Sequence, residues 1–90
     1  MNKIIKILVL MNNQTLISEI EEVGADIGEP DCKLINPYIV KEYKEGVHSL
    51  EPFLVSITRQ DTFMMSSDKI LTLADPTPTL LEKYQDLIKE

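Results

Sequence analysis

Along the first three quarters of the chain, apolar and polar residues alternate in short blocks with the period of strands. The last quarter switches to the period of a helix. Residues 3–11 are dense in Ile, Leu and Val, which favours a strand over a surface helix. Asn12-Asn13 follows, and Asn tolerates the left-handed backbone that a tight hairpin turn needs. Residues 14–23 set Leu16 and Ile20 on one face and Ile17, Glu19 and Glu21 on the other. Leu16, Ile20 and Val23 also fit helical spacing; the Asn-Asn turn decides for a second strand. Residues 24–30, with Gly24, Gly28 and Pro30, form a loop. Residues 32–40 predict a third strand, in which Pro37 cannot donate to a ladder and so calls for an edge or a bulge. Residues 41–52 are charged and polar and are expected to be a connector. Phe53, Val55 and Ile57 then alternate with Leu54, Ser56 and Thr58 as a half-buried strand. Arg59-Gln60-Asp61 turns the chain, residues 62–65 continue extended, Ser66-Ser67-Asp68 turns again, and residues 69–73 are a final short strand.

Asp75-Pro76-Thr77-Pro78 ends the sheet, because its two prolines fix the backbone and remove donors. Beyond it, Leu80, Leu81, Tyr84, Leu87 and Ile88 form one helical stripe. Two starts are open: Thr79 with Glu82 at capping-box spacing, or Pro78 in the first helical position after a Thr77 cap. A helix over residues 79–89 has about three turns and must dock, either on the sheet or on a neighbouring subunit. The expected architecture is a single domain of the all-β class. It is a small, strongly bent sheet or partly open barrel of five or six short strands over residues 3–74, with a short C-terminal helix, and SH3-like and OB-type barrels are the candidates.

Ninety residues, 43% of them apolar, provide for one core and argue against disorder. Cys32 and His48 are the only residues of their kinds, so neither a disulfide nor a metal staple is available within the chain. The usual remedy for so small an unstapled core is oligomerisation. Nine Lys and Arg stand against fifteen Asp and Glu, a net charge of −6, which excludes a basic domain coating phosphate. Residues 1–30, 31–60 and 61–90 carry −3, 0 and −3, so an anion-binding face would draw on Lys33, Lys41, Lys44 and Arg59 in the middle third. The longest apolar run, residues 7–11, is far short of the ~20 residues of a membrane span. It is also too short for a secretory leader, and Asn12-Asn13-Gln14 follows it instead of a cleavage site. These features describe a mature, soluble, intracellular chain.

Catalytic constellations are not evident. His48 reads as a solvated loop histidine and Cys32 as a small buried hydrophobe. The acidic run Glu19, Glu21 and Glu22, and the pair Asp61 and Asp68, read as solvated faces. Met64 and Met65, beside Phe63, fit either core filling or an interface. No enzymatic activity, metal or cofactor is expected.

The segment Met65-Ser66-Ser67-Asp68-Lys69-Ile70-Leu71-Thr72-Leu73 has an apolar residue, a short polar turn and an apolar strand, and in this it resembles the second motif of Sm and Sm-like proteins. Residues 7–40 resemble the first motif. They have an apolar strand, the Asn12-Asn13 hairpin, a long strand, a loop, and Asp31-Cys32-Lys33-Leu34 ahead of Asn36. The chain as a whole is similar to Sm-like proteins of marine cyanophage type. It departs from the family pattern in five ways. Ser66-Ser67 replaces Arg-Gly, Ser18 replaces the usual glycine, Asn36 falls one position late, Lys33 stands where many members carry a stacking aromatic, and the helix follows the sheet.

The resemblance implies a five-stranded Sm-like (SH3-like) barrel and a cyclic homo-oligomer of about five to seven subunits, paired through strand edges. It also implies contact with single-stranded RNA or DNA, in the cytoplasm of an infected host cell. Lys33 and Lys69 would meet phosphate, and Asn36, Ser66, Ser67 and Asp68 would hydrogen-bond bases or sugars. The subunit interface would be built from Phe53, Val55, Ile57, Met65, Ile70, Leu71 and Leu73. The alternative is a protein-interaction or structural ring without nucleic acid, which the acidic charge and the lost Arg-Gly favour.

Overall fold

A computed structural model describes residues 4–24, 26–27, 29–44, 47–54, 58 and 60–88. The fold is mainly β. Six strands, β1 (Ile5–Leu10), β2 (Thr15–Glu22), β3 (Cys32–Lys44), β4 (Val47–Pro52), β5 (Thr62–Met65) and β6 (Ile70–Ala74), form one antiparallel sheet, and one helix, α1 (Pro78–Ile88), follows it. The strand order is β4-β3-β2-β1-β6, with β5 also on β3. Both β4 and β5 pair with β3, β4 beyond Tyr38 and β5 before Asn36. They are two halves of one lane, interrupted by residues 53–61, so the six strands lie in five lanes. Among the described residues no ladder joins β5 to β6, and the sheet is curled but not closed.

Leu8, Leu10, Leu16, Cys32 and Leu34 are the buried core, and Ile20, Ile39, Phe53, Met65 and Ile70 pack against it. Residues from both edge lanes thus reach the same core, which requires a strongly curled sheet. A bulge in β3 provides part of the bend. Ile17 pairs with Tyr38 and Glu19 with Ile35, so Ser18 alone opposes Asn36 and Pro37. Asn36 takes a positive φ of 53°, and Pro37 needs no ladder partner for an N–H it lacks. The extra residue also shifts the alternation by one, which keeps Leu34 and Ile39 facing the same core on either side of it.

On the opposite face α1 covers the bulge. Thr77 caps the helix by accepting the Leu80 N–H at 3.3 Å, and Pro78 occupies the first position, where no N–H is needed. Tyr84 is fully buried. Its hydroxyl accepts the Glu19 N–H (3.1 Å) and faces the carbonyls of Asn36 (2.9 Å) and Ile35 (3.2 Å). Its ring meets Tyr38 edge to face at 5.8 Å. The Ser18 hydroxyl donates within the same cluster, 2.8 Å from the Glu19 carbonyl and 3.1 Å from that of Ile35. The helix therefore docks on its own chain's sheet. Leu80, Leu81 and Ile88 are partly covered, whereas Leu87 of the predicted stripe is exposed.

Several boundaries differ from the sequence reading. Residues 41–52 are not a connector: β3 runs on to Lys44, and β4 returns along it. The hairpin looks like a loop in sequence because its pairs are polar. Glu42 stands opposite His48 at 3.5 Å, and Lys41 reaches Glu51 at 3.2 Å. Phe53 and Leu54 are a turn and not the start of a strand. Leu54 has a φ of 59°, and the Phe53 N–H is spent on the Pro37 carbonyl at 3.0 Å. The rest of that expected strand, with Val55, Ile57 and the following Arg59, lies mostly outside the described residues. The Asn-Asn turn spans residues 11–14, and Asn13 is left-handed with φ 68°.

Tyr84→Phe removes one hydroxyl and strands the Glu19 N–H and the Asn36 carbonyl, so it should cost about 2 kcal/mol in urea unfolding. Burial, the largest cause, pushes the Tyr84 hydroxyl up from 10.0 to about 12. Its neutral form is favoured by folding, so this contribution is complete below pH 10 and is lost as pH rises from 10 towards 12. Unfolding curves of native and Tyr84→Phe protein should therefore converge over that interval.

Candidate functional site

Between β5 and β6 the chain makes a single 3-10 turn over Ser67–Lys69, beginning after extended Ser66. Ser67 is fastened by Asp31, the residue before β3. Its N–H and its hydroxyl donate to the two carboxylate oxygens at 2.7 and 2.8 Å. The backbone bond, then the hydroxyl bond, hold the Asp31 carboxyl below its ordinary value of 3.8. The far side of the turn is pinned to the β1–β2 hairpin, where the Met11 N–H donates to the Lys69 carbonyl at 3.0 Å. Asp68 and Lys69 remain exposed.

Lys33 lies two residues along β3 from Asp31 and is partly exposed, opposite Met64 and Glu21 in the ladders. The fold thus gathers Lys33 and residues 66–69 at one end of the sheet. Asn36 is not among them. It stands five residues from Asp31, about 17 Å along the strand. Its backbone is consumed by the bulge, with the N–H on the Asp61 carbonyl at 2.7 Å and the carbonyl on Tyr84.

The expected interface residues divide. Phe53, Met65 and Ile70 pack against the chain's own core. Leu71 and Leu73 are 61% and 52% exposed on β6. Of the methionine pair, Met65 faces the core, while Met64 is exposed. Leu71 is the extra residue of a bulge, since Val9 pairs with Thr72 and Leu10 with Ile70.

Beside β6, a cleft of about 450 Å³ opens against the ends of β2 and β3. Ile4, Ile20, Cys32 and Leu73 are among its apolar lining, and Glu22 and Asp31 are its charged residues. Cys32 is buried; burial first, then the negative charges of Asp31 and Glu22, push its thiol up. This makes it a poor nucleophile. His48, expected in a loop, sits on β4 beside Glu42. Among the described residues no group of three or more His, Cys, Asp or Glu side chains is arranged to hold a metal. No described helix is long and apolar enough to cross a membrane.

Sequence reasoning passed over Asp31, Tyr84's hydroxyl and the cleft. An acidic residue just before a strand and a tyrosine within an otherwise aliphatic stripe were the available signals. The cleft had none, because Ile4 and Leu73 are distant in sequence.

An NMR titration should show the Ser67 amide shifting with a midpoint below 3.8. The tie persists above the ordinary carboxylate range and loosens as pH falls through the lowered value. Asp31→Asn should abolish that titration and speed Ser67 amide exchange.

One protein-family model matches residues 3–89, that of a family of unknown function (DUF6561). No curated protein matches the chain significantly.

Proposed function

The chain belongs to DUF6561, whose description carries no activity, and we propose from its geometry that it is a self-assembling β-module joined edge to edge. The observation that carries this is β6. Among the described residues it has a ladder to β1 alone, and its sequence Ile70-Leu71-Thr72-Leu73-Ala74 contains neither charge nor proline. Isolated edges are normally guarded by such residues, because their free N–H and C=O groups recruit further strands. The opposite end of the sheet, the β4/β5 lane, is a second edge. Adding the β6 of one copy to the β5 of the next is a head-to-tail contact, and its repetition closes a ring when the rotation between neighbours divides a full turn. Such a ring agrees with the Sm-like pattern of the sequence.

A second reading, contact with single-stranded nucleic acid, is favoured by the placing of Lys33 near Ser66, Ser67, Asp68 and Lys69. Repeated around a ring, so weak a site gains by avidity. The same reading sets the protein in the cytoplasm of an infected host cell.

Light scattering on a sizing column should give a single species several times the 10.3 kDa chain mass. Leu71→Lys, which places a charge on the edge, should return it to one chain mass with its circular dichroism unchanged. A native monomer throughout the micromolar range would overturn assembly. For the second reading, anisotropy titrations with oligo-U and oligo-A should show binding that weakens with salt and with Lys33→Glu plus Lys69→Glu. Self-association of an acidic chain should instead strengthen with salt, so the two dependences have opposite signs.

A further inference from the structure

Leu73 stands opposite Leu8 in the β1–β6 ladder, so the two share a face of the sheet. Leu8 is fully buried, yet Leu73 is half exposed, and Ile4 on β1's approach is 54% exposed. The core face is thus left uncovered at this end, and with Ile20 and Cys32 it walls the cleft beside β6. At about 450 Å³ the cleft is within the size range of small-molecule sites.

The polar side of the cleft has one sign. Among the described residues, Glu22 and Asp31 are its only charged lining residues and none of the lining is basic. Asp31 is kept ionised by Ser67, and each of its oxygens retains a further acceptor position. Both carboxylates also act on Cys32 in the cleft wall, so the negative field reaches the apolar surface itself.

We propose that this cleft binds a small amphiphilic cation. Its alkyl chain lies on Ile4, Ile20 and Leu73, and its ammonium or guanidinium head meets Glu22 and Asp31. Apolar area alone would admit any alkyl chain, whereas the paired carboxylates select the sign of the head group. The proposal does not depend on edge-to-edge assembly.

Methyl groups of the cleft supply the test. NMR shifts of the Ile4 and Leu73 methyl groups are followed in the full chain with n-hexylammonium, hexanol or hexanoate. Hexylammonium should shift both methyls, with an apparent affinity about three- to fivefold above that of hexanol, and hexanoate should be weakest. Glu22→Gln, an exposed change, should remove most of that preference, as should high salt. Equal action of the three probes, or a preference that survives Glu22→Gln at low salt, would overturn the proposal. Solution mass is recorded in the same samples. Loss of the amine from the cleft as chains associate would make a second copy the occupant and would overturn it equally.

Discussion

The Tyr84 hydroxyl is lodged where the β2–β3 ladder is broken, and the geometry of the sheet turns on that point. A bulge leaves backbone groups without strand partners, and burying them bare would cost more than the bend returns. Here the phenol takes the Glu19 N–H and faces the Asn36 and Ile35 carbonyls, while Ser18 donates beside it. The helix therefore acts as more than an apolar cover. It supplies a polar atom that the sheet lacks, through a residue 48 positions away in sequence from Asn36.

The bulge also organises the other side of β3. The β4 ladder ends at Pro52 opposite Tyr38, and the β5 ladder begins at Thr62 opposite Ile35. Both ladder ends are tied at the bulge, with the Asn36 N–H bonded to the Asp61 carbonyl and the Phe53 N–H to the Pro37 carbonyl. One irregularity thus bends β3, splits its neighbouring lane and positions the helix. The bend brings Met65 of one edge lane and Ile70 of the other onto a common core without joining their strands. The 3-10 turn that spans this gap is held by Asp31, so the uncovered cleft and the fastened turn are two consequences of the same incomplete closure.

What was legible in the sequence follows from this. The first strands and the helix were visible because one face of each is apolar, as in Leu8 and Leu10, or Leu80 and Tyr84. Pro37 announced a bulge because a missing N–H is a local property. The β3–β4 hairpin was hidden because Lys41, Glu42, Lys44, His48 and Glu51 dominate its sequence, and charge reads as solvent exposure whether or not a ladder lies beneath it. Phe53 was misplaced for the opposite reason. It has the right neighbours for a strand, but its N–H is used by Pro37 across the bulge. Of the candidate site, the polar turn at residues 66–69 and Lys33 lie at one end of the sheet, whereas Asn36 was drawn away. Its side-chain type suited binding, but its left-handed backbone was needed for the bend.

An acidic chain with an uncharged edge strand poses opposed requirements. Net charge of −6 opposes the approach of separate copies, since like charges repel over a Debye length of about 10 Å. Hydrogen bonding at a free edge acts only on contact and is insensitive to that charge. The distribution of carboxylates reconciles the two: β5 and β6 carry none, while Glu21, Glu22, Asp31, Asp68 and Asp75 lie on the segments around them. In the proposed edge-to-edge assembly, repulsion would disfavour misaligned encounters in which these groups meet and leave the strand edges to pair. The same arrangement explains why Leu71 and Leu73 are tolerated in the open. They lie on an edge whose surroundings, and not its own residues, protect it from indiscriminate association.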